Sequence, residues 1–297
     1  MVSRMVPRVR VGVVVLPQQR WADARERWRA VEDMGFDGAW TYDHLAWRDL
    51  ADEPWFATVP TLTAAATVTS RVRLGTWVAS PNYRHPVPFA KELMTLDDVS
   101  AGRLVVGIGA GGTGWDADVL AASRPTPGQR VRRLDEFCEL LNQLLTQPST
   151  TRHGEWFSAV EARMVPGPVQ QPRPPFVVAA NGPRALRVAA VRGDAWATTG
   201  TPRPDDGQDA WWRGVAEVVS RFEDALIAVG REPADVDRYL DLDSGPVYSL
   251  SSREAFADAV GRAVGLGFTD VVTHWPRERG AYAGDVRVLE QVASDLS

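Results

Sequence analysis

The sequence contains a single cysteine, Cys138, among 297 residues. One thiol cannot form a disulfide within the chain, so a disulfide-stapled fold is excluded. Cys138 lies in Leu134-Asp-Glu-Phe-Cys-Glu-Leu-Leu, where apolar residues recur at helical spacing. We therefore interpret Cys138 as a buried packing residue and not as a catalytic nucleophile.

The sequence also lacks a long apolar run and an excess of basic residues. No stretch approaches the roughly 20 apolar residues that span a bilayer, and Val11 to Leu16 is too short for the core of a signal peptide. The 33 basic and 38 acidic residues give a net charge of −5, which argues against nucleic acid as a partner. We expect a cytoplasmic protein that works without a membrane.

Motifs for a catalytic metal site and for a serine triad are missing as well. The four histidines show neither His-x-His nor His-Glu-x-x-His spacing, so no metal site is predicted. No Gly-x-Ser-x-Gly occurs, which argues against a serine triad. If the chain is an enzyme, it is expected to use the chemistry of a cofactor.

What the sequence does contain is eight strand-like segments separated by helical ones. The strands are predicted at residues 9–16, 38–42, 72–78, 103–108, 176–180, 194–198, within 239–250 and at 270–274. Eight βα units predict an α/β fold, the (β/α)8 TIM barrel, as one domain over residues 1–297. The turn-rich segment 147–175 is expected to leave the repeat between the fourth helix and the fifth strand, as a short hairpin.

A doubly wound open sheet is the alternative fold. It would usually carry a Gly-x-Gly-x-x-Gly fingerprint directly after the first strand. Pro17-Gln18-Gln19 follows that strand instead. The barrel is therefore favoured.

Polar residues follow the second predicted strand, and a barrel of this kind builds its active site at such C-terminal ends. Asp43 and His44 stand there, and histidine is well suited to transfer protons near neutral pH. We predict that His44 handles a proton and that Asp43 sets its orientation. The alternative is that Asp43 caps the next segment and His44 packs against Trp40 or Trp47.

Two further loops are candidates for ligand binding. Gly107 to Gly114 carries almost no side chains, so its backbone could approach a flat ligand or form a surface loop. Asn181-Gly182-Pro183-Arg184 joins the fifth strand to a helix, with Asn181 as the predicted cap. A helix N-terminus beside an arginine is suited to phosphate, although a capped helix without a ligand fits equally well.

Four segments, in order along the chain, carry a family resemblance. They are Glu32-Asp-Met-Gly-Phe-Asp-Gly-Ala-Trp-Thr-Tyr-Asp-His44, Ala65-Ala-Thr-Val-Thr-Ser-Arg-Val-Arg-Leu-Gly-Thr-Trp-Val78, Leu96-Asp-Asp-Val-Ser-Ala-Gly-Arg-Leu-Val-Val-Gly-Ile-Gly-Ala-Gly111 and Ala179-Ala-Asn-Gly-Pro-Arg-Ala-Leu-Arg-Val-Ala-Ala190. The sequence resembles the bacterial luciferase-like monooxygenase superfamily. Its compact chain, rich in arginine and tryptophan, is similar to the branch of oxidoreductases that depend on the deazaflavin coenzyme F-420.

The resemblance implies an enzyme that transfers a hydride between the deazaflavin and a small organic substrate. A monooxygenase that uses flavin mononucleotide (FMN) from a separate flavin reductase is the alternative, and a non-catalytic flavin-binding barrel is a third possibility. The resemblance further implies a homodimer. Gly112-Thr113-Gly114 stands where relatives that oxidise sugar phosphates carry an acidic residue, so that substrate class is not expected.

For the cofactor ring, the resemblance implies a cis peptide bond between Trp77 and Val78. This bond would form a bulge under the ring, with Ala79 next to it. Gly109 and Gly111 would border the ring. Trp77 is large for its place, which predicts a narrow or aromatic-lined pocket.

For the cofactor phosphate, the resemblance implies a site at Asn181, Gly182 and Thr198, with Arg184 beside it. The deazaflavin carries a phosphodiester and a glutamate tail, whereas the net charge of the chain is −5. Basic residues are therefore expected near the barrel mouth. The candidates are Arg184, Arg84, Arg277 and Arg279.

Overall fold

Eight parallel strands close into a barrel in the computed structural model, which describes residues 8–47, 50–111, 115–122, 125–201 and 207–296. The strands of the barrel are β1 (Arg10–Val14), β2 (Gly38–Thr41), β3 (Arg73–Thr76), β4 (Leu104–Gly109), β7 (Phe176–Ala179), β8 (Ala195–Thr198), β9 (Asp237–Asp241) and β10 (Asp270–His274). β5 (Ser149–His153) and β6 (Ser158–Arg163) pair antiparallel outside it. The predicted (β/α)8 barrel is confirmed, and so is the hairpin excursion.

Helices alternate with the strands of the barrel. They are α1 (Trp21–Asp33), α2 (Thr58–Ala66), α3 (Pro86–Val99), α4 (Trp115–Val119), α5 (Pro127–Thr146), α6 (Pro183–Arg192), α7 (Gln208–Ile227), α8 (Arg253–Gly265) and α9 (Val286–Leu296). None of these helices is both long and apolar enough to cross a membrane. Cys138 is fully buried in α5, and burial raises the pKa of its thiol to about 12, in keeping with a packing role.

The seventh barrel strand, β9, was predicted inexactly. It begins at Asp237 and ends at Asp241, whereas the sequence indicated a strand somewhere within 239–250. The carboxylate of Asp241 accepts the N–H of Asp243 at 3.1 Å, which turns the chain into a short 3-10 helix, Leu242–Ser244. One acidic side chain, Asp241, thereby ends β9 and a second, Asp243, follows it at the rim of the barrel.

The strand register brings several strand ends to one rim. Val14 pairs with His274 on one side and with Trp40 on the other, and Thr41 pairs with Thr76. Parallel strands have their carboxyl ends on the same face of the barrel, so the residues that follow these positions lie close together. This face holds the candidate site.

Trp40 fills the interior of the barrel below that face. Its indole lies over three glycines, and a Cβ at Gly75 would come within 2.2 Å of the ring. Trp77 and Tyr239 pack against it with ring centroids 5.2 and 5.8 Å away. The strands on this side of the barrel therefore need glycine in order to hold an aromatic interior.

Glu32 ties the end of α1 to the start of β3. Its carboxylate accepts the backbone N–H groups of Ser70, Arg71 and Val72 at 2.6–3.0 Å. Burial alone would raise the pKa of Glu32, but these hydrogen bonds outweigh it and lower the pKa from 4.5 to about 2. The carboxylate therefore stabilises the fold in its ionised form.

We expect Glu32→Gln to lower the free energy of unfolding at pH 7. The loss should be on the order of 1 kcal/mol. Hydrogen bonds to a buried charged group contribute more than this, but the Glu32 carboxylate is partly exposed and solvent screens its charge. The folded pKa lies below the unfolded value, so the contribution is complete above about pH 4.5 and falls away towards pH 2. Denaturant melts of both proteins at pH 7 and pH 3 should show a smaller difference at pH 3; an equal difference would contradict the assignment.

Candidate active site

A cavity of about 1150 Å³ opens at the C-terminal face of the barrel. Nine of the predicted site residues line it: His44, Trp77, Val78, Gly109, Gly111, Asn181, Gly182, Arg184 and Thr198. Residues 112–114 of the glycine-rich loop lie outside the described part of the chain. Asp43 and Ala79 were predicted in the site but do not line the cavity.

The floor of the cavity around Val78 is apolar. The Trp77–Val78 peptide bond is cis, as predicted. Gly109 approaches the Val78 side chain so closely that a Cβ there would lie 2.8 Å from Cγ2. Ala79 is fully buried and exchanges backbone hydrogen bonds with Gly107 and Gly109, so it supports the floor from behind and does not line the cavity.

The N-terminus of α6 forms one end of the cavity. The N-cap residue is Gly182, which has no side chain to cap the helix. The first-turn N–H groups of Arg184 and Ala185 have no intrahelical acceptor and lie at the cavity wall. These donors, with the exposed guanidinium of Arg184, fit a phosphate group.

Asn181 is not the helix cap that the sequence predicted. Its Oδ1 accepts the hydroxyl of Thr198 at 2.6 Å, and its Nδ2 donates to the hydroxyl of Thr199 at 2.7 Å. β7 and β8 are neighbours in the barrel, so the side chain of Asn181 reaches the next strand end before it reaches the helix. The pair Asn181–Thr198 fixes the two loops that hold α6 against the cavity.

Among the four predicted arginines, only Arg184 lines the cavity. Arg277 is paired with Glu53 at 2.6 Å, and Arg84 is paired with Asp43 and Glu92. Arg279 is exposed and lies off the cavity wall. Arg130, in the first turn of α5, lines the cavity although the sequence did not single it out.

His44 faces the other end of the cavity and is held by Asp116. Nδ1 of His44 lies 2.9 Å from Oδ2 of Asp116, and the Leu45 N–H donates to Oδ1 at 2.7 Å. Asp116 is buried in α4, and the side chain of His44 remains partly exposed. The sequence has Gly112-Thr113-Gly114 where relatives carry an acidic residue, but Asp116, five residues beyond Gly111, places a carboxylate next to the predicted proton-transfer histidine.

Asp43 is not the partner of His44, which corrects the predicted dyad. Its side chain is fully buried, and its two oxygens accept Nε and Nη2 of Arg84 at 3.1 and 2.7 Å. Adjacent residues after a strand point in different directions, so Asp43 turns into the protein while His44 turns towards the cavity. The role of Asp43 is to fix the loop that carries His44.

A second polar cluster lies under the same end of the cavity. It comprises Tyr42, His274, Asp243, Asp241 and Tyr282, of which the sequence indicated Tyr42 and His274, as the ends of two predicted strands. Oxygen and nitrogen atoms of Asp241, Asp243 and His274 lie within 4.8 Å of one another, a spacing that a metal ion could use. Both ring nitrogens of His274 are taken by hydrogen bonds, to Asp243 and Tyr42, so the geometry is that of a hydrogen-bonded cluster.

Aromatic rings form the wall above this cluster. Trp47 and Tyr282 stack with centroids 6.2 Å apart, and Tyr42 meets Trp47 edge-on at 5.1 Å. The indole Nε1 of Trp77 donates to Asp241 at 3.2 Å. Burial raises the pKa of Asp241. The cavity is thus aromatic-lined at the His44 end, as the size of Trp77 suggested.

Comparison with known proteins assigns a family over residues 5–290. Residues 5–290 match the family described as luciferase-like monooxygenase. A protein of Mycobacterium tuberculosis without an assigned function is 34% identical over 224 residues, 75% of this chain and 70% of that protein. The F420-dependent glucose-6-phosphate dehydrogenase of Intrasporangium calvum is 31% identical over 215 residues, 71% of this chain but only 61% of the dehydrogenase.

Solved structures share the barrel at lower identity. An F420-dependent secondary alcohol dehydrogenase, in complex with an F420–acetone adduct, has a TM-score of 0.80 and 17% identity, covering 98% of this chain and 99% of that one. Monooxygenase RslO1 of Streptomyces bottropensis has a TM-score of 0.75 and 19% identity, covering 96% of each chain. At these identities the likeness concerns the fold. Together with the family match, it means that the chain belongs to the luciferase-like monooxygenase family and is an oxidoreductase.

Proposed function

We propose that the protein transfers a hydride between deazaflavin coenzyme F-420 and a small uncharged organic substrate. The observation that carries the proposal is the order of chemical groups from one end of the cavity to the other. Anion-binding donors stand at its α6 end, an apolar floor lies at its centre, and a histidine–carboxylate pair stands at its other end. A cofactor with a flat ring and a phosphodiester tail fits this order.

The relatives support the deazaflavin over FMN. The dehydrogenases of Intrasporangium calvum and Microbacterium testaceum, 31% and 29% identical, carry F420 dependence in their names. F420 dependence is also part of the names of two structural neighbours, the secondary alcohol dehydrogenase and the tetrahydromethanopterin reductase of Methanopyrus kandleri. The reductase has a TM-score of 0.76 and 18% identity.

Within this proposal, each group of residues has a separate task. Arg184, Arg130 and the first turn of α6 would hold the phosphodiester, and Val78 with Gly109 would support the ring. When bound, the deazaflavin supplies a carbon that donates or accepts a hydride. His44, oriented by Asp116, would hydrogen-bond the substrate oxygen and assist its proton exchange, and the aromatic wall would exclude water from the reacting atoms.

The substrate end of the cavity has aromatic and acidic groups. Of the described residues that line it, none is a lysine or an arginine, since both lining arginines belong to the α5 and α6 end. A phosphorylated sugar would find no cation there, and the buried carboxylates would repel it. We therefore assign a neutral alcohol or carbonyl compound as the substrate class.

The test is an anaerobic assay of deazaflavin absorbance with matched substrates. We expect secondary alcohols such as propan-2-ol and cyclohexanol to reduce the coenzyme, and glucose 6-phosphate to leave it oxidised. Turnover with the sugar phosphate would contradict the substrate class. Absence of turnover with every alcohol and, in reverse, every ketone would contradict the hydride-transfer proposal.

An FMN monooxygenase supplied by a separate reductase is the second candidate. It is favoured by the shared fold of RslO1, a monooxygenase. The two candidates differ in oxygen use, because reduced flavin consumes oxygen whereas the deazaflavin transfers a hydride. A homodimer is the assembly that we propose for either candidate, and light scattering of the purified protein tests it.

We expect Arg184→Ala to weaken deazaflavin binding by about tenfold, since one charge-assisted hydrogen bond is worth about 1.5 kcal/mol. The affinity of the unaltered protein should also fall with added salt, because exposed charges are screened. Arg187→Ala is the matched control: Arg187 is exposed on the same helix but does not line the cavity. Equal affinities in the two variants at 50 mM salt would place the phosphate elsewhere.

A further inference from the structure

Asp243, His274 and Tyr42 form a chain of hydrogen bonds that the role of His44 leaves unused. Nδ1 of His274 lies 2.8 Å from Oδ2 of Asp243, and Nε2 lies 2.7 Å from the hydroxyl of Tyr42. The side chains of His274 and Asp243 are fully buried, and Tyr42 and Asp243 both belong to the residues that line the cavity. The chain therefore connects a buried carboxylate to the place where a substrate would lie.

The partners of Asp243 determine which nitrogen of His274 carries the proton. Oδ2 of Asp243 accepts the backbone N–H of His274 at 2.7 Å and the hydroxyl of Thr273 at 3.1 Å, and Oδ1 accepts the N–H of Ser249 at 2.9 Å. All three contacts come from N–H or O–H donors, so the carboxylate of Asp243 acts as the acceptor in each. Nδ1 must then carry a proton, which leaves Nε2 to accept the O–H of Tyr42.

Tyr282 holds the outer end of this chain. Its ring stacks on that of His274 with centroids 3.7 Å apart and an interplanar angle of 8°. Its hydroxyl lies 2.8 Å from that of Tyr42, and it must donate, because the Tyr42 proton points to His274. A phenol oxygen has two lone pairs, so one lone pair of Tyr42 remains for a substrate hydroxyl. Burial raises the pKa of Tyr42, which keeps it a neutral phenol between turnovers.

We propose that Tyr42 is a second catalytic residue, which exchanges a proton with the substrate oxygen, and that His274 and Asp243 are its positioning residues. The arrangement has the order carboxylate, imidazole, hydroxyl, in which the imidazole accepts the hydroxyl proton and the carboxylate stabilises the resulting charge. The rings of Tyr42 and His44 lie 6.1 Å apart. One substrate can therefore meet both. The inference rests on the proposed hydride transfer.

The step balances as follows for a secondary alcohol. The C–H bond breaks and its electron pair leaves with the hydrogen, as a hydride accepted by oxidised deazaflavin. The O–H bond breaks, its proton goes to the oxygen of Tyr42, and the proton of Tyr42 goes to Nε2 of His274. The electron pair of the O–H bond becomes the second bond of the carbonyl group. Ketone reduction is the same set of transfers in reverse.

The first test uses the cofactor-free protein and needs no substrate. In ¹⁵N-histidine NMR spectra, which contain four histidines, we expect His274 as the Nδ1–H tautomer at pH 7.5. Tyr42→Phe should shift Nε2 of His274 and leave the other histidines in place. Tyr239→Phe is the matched control, since Tyr239 is a buried phenol at the opposite end of the barrel, beside Arg10 and Asp270. An Nε2–H tautomer, or an unmoved His274 signal in Tyr42→Phe, would overturn the proposal.

The second test is kinetic, with cyclohexanol as substrate. Tyr42→Phe should lower kcat by about 10²–10⁴-fold, the usual contribution of an acid–base group, at unchanged coenzyme Kd. Tyr239→Phe should keep the kcat of the unaltered protein. Full kcat in a folded Tyr42→Phe protein would overturn the catalytic role of Tyr42. If the unaltered protein binds no deazaflavin, the proposed function fails, and the NMR result still decides the hydrogen-bonded chain.

Discussion

His44→Ala should lower turnover with an accepted substrate by about 10²–10⁴-fold, while the Kd of the deazaflavin stays unchanged. The reason is the geometry at the aromatic end of the cavity, where His44 lines the wall and Asp116 holds its Nδ1 at 2.9 Å. That contact fixes the ring and directs Nε2 away from the carboxylate. The proposed phosphate site, at the N-terminus of α6, does not include this residue.

Two variants sharpen the result. Asp116→Asn keeps the size of the side chain but removes the charge that holds the imidazole, so it should reduce kcat by less than His44→Ala. His153→Ala is the control, because His153 is exposed on the β5–β6 hairpin. Stopped-flow measurement of coenzyme reduction separates the chemical step from binding. Full turnover in His44→Ala would mean that the histidine only packs against its neighbours.

Arg84→Met should lower the free energy of unfolding by about 3–5 kcal/mol, because it leaves a buried charge without its partner. Asp43 has no exposed side-chain surface and receives two hydrogen bonds from Arg84. We expect a fall in Tm of roughly 5–15 °C for a chain of this size. Calorimetry of the purified variant measures it.

A double variant tests the cause of that loss. Asp43→Asn together with Arg84→Met removes the buried charge as well as its partner, so it should recover much of the stability. Arg253→Met is the control, because Arg253 forms a similar two-pronged pair with Asp295 on the surface. Its Tm should stay within error of the unaltered protein. A double variant no more stable than Arg84→Met would contradict the buried-charge explanation.

The barrel could be predicted because its strands carry local signals. Runs such as Val11 to Leu16 and Val177 to Ala180 are apolar and β-branched, and glycines mark the ends of several helices. The cis bond at Trp77–Val78 followed from family resemblance alone, since no local propensity indicates it. Local pattern thus determined the order of elements and the face on which the site lies.

The pairing of charged side chains could not be read in the same way. Asp43 stands beside His44 in the sequence, yet the partner of His44 in the fold is Asp116, 72 residues further along the chain. An acidic residue soon after the glycine loop was the available signal. The prediction considered only Gly112 to Gly114, and Asp116 lies two residues further on. Asp243 was missed because it follows β9 in a 3-10 turn, where no periodic pattern exists.

Parallel titration of the cofactor-free protein with oxidised deazaflavin and with FMN, followed by quenching of cofactor fluorescence, tests the proposed function most directly. The protein should bind the deazaflavin more tightly than FMN at the same salt concentration. Its binding should weaken in Arg184→Ala and persist in His44→Ala. Tighter binding of FMN would contradict the deazaflavin assignment and favour the monooxygenase.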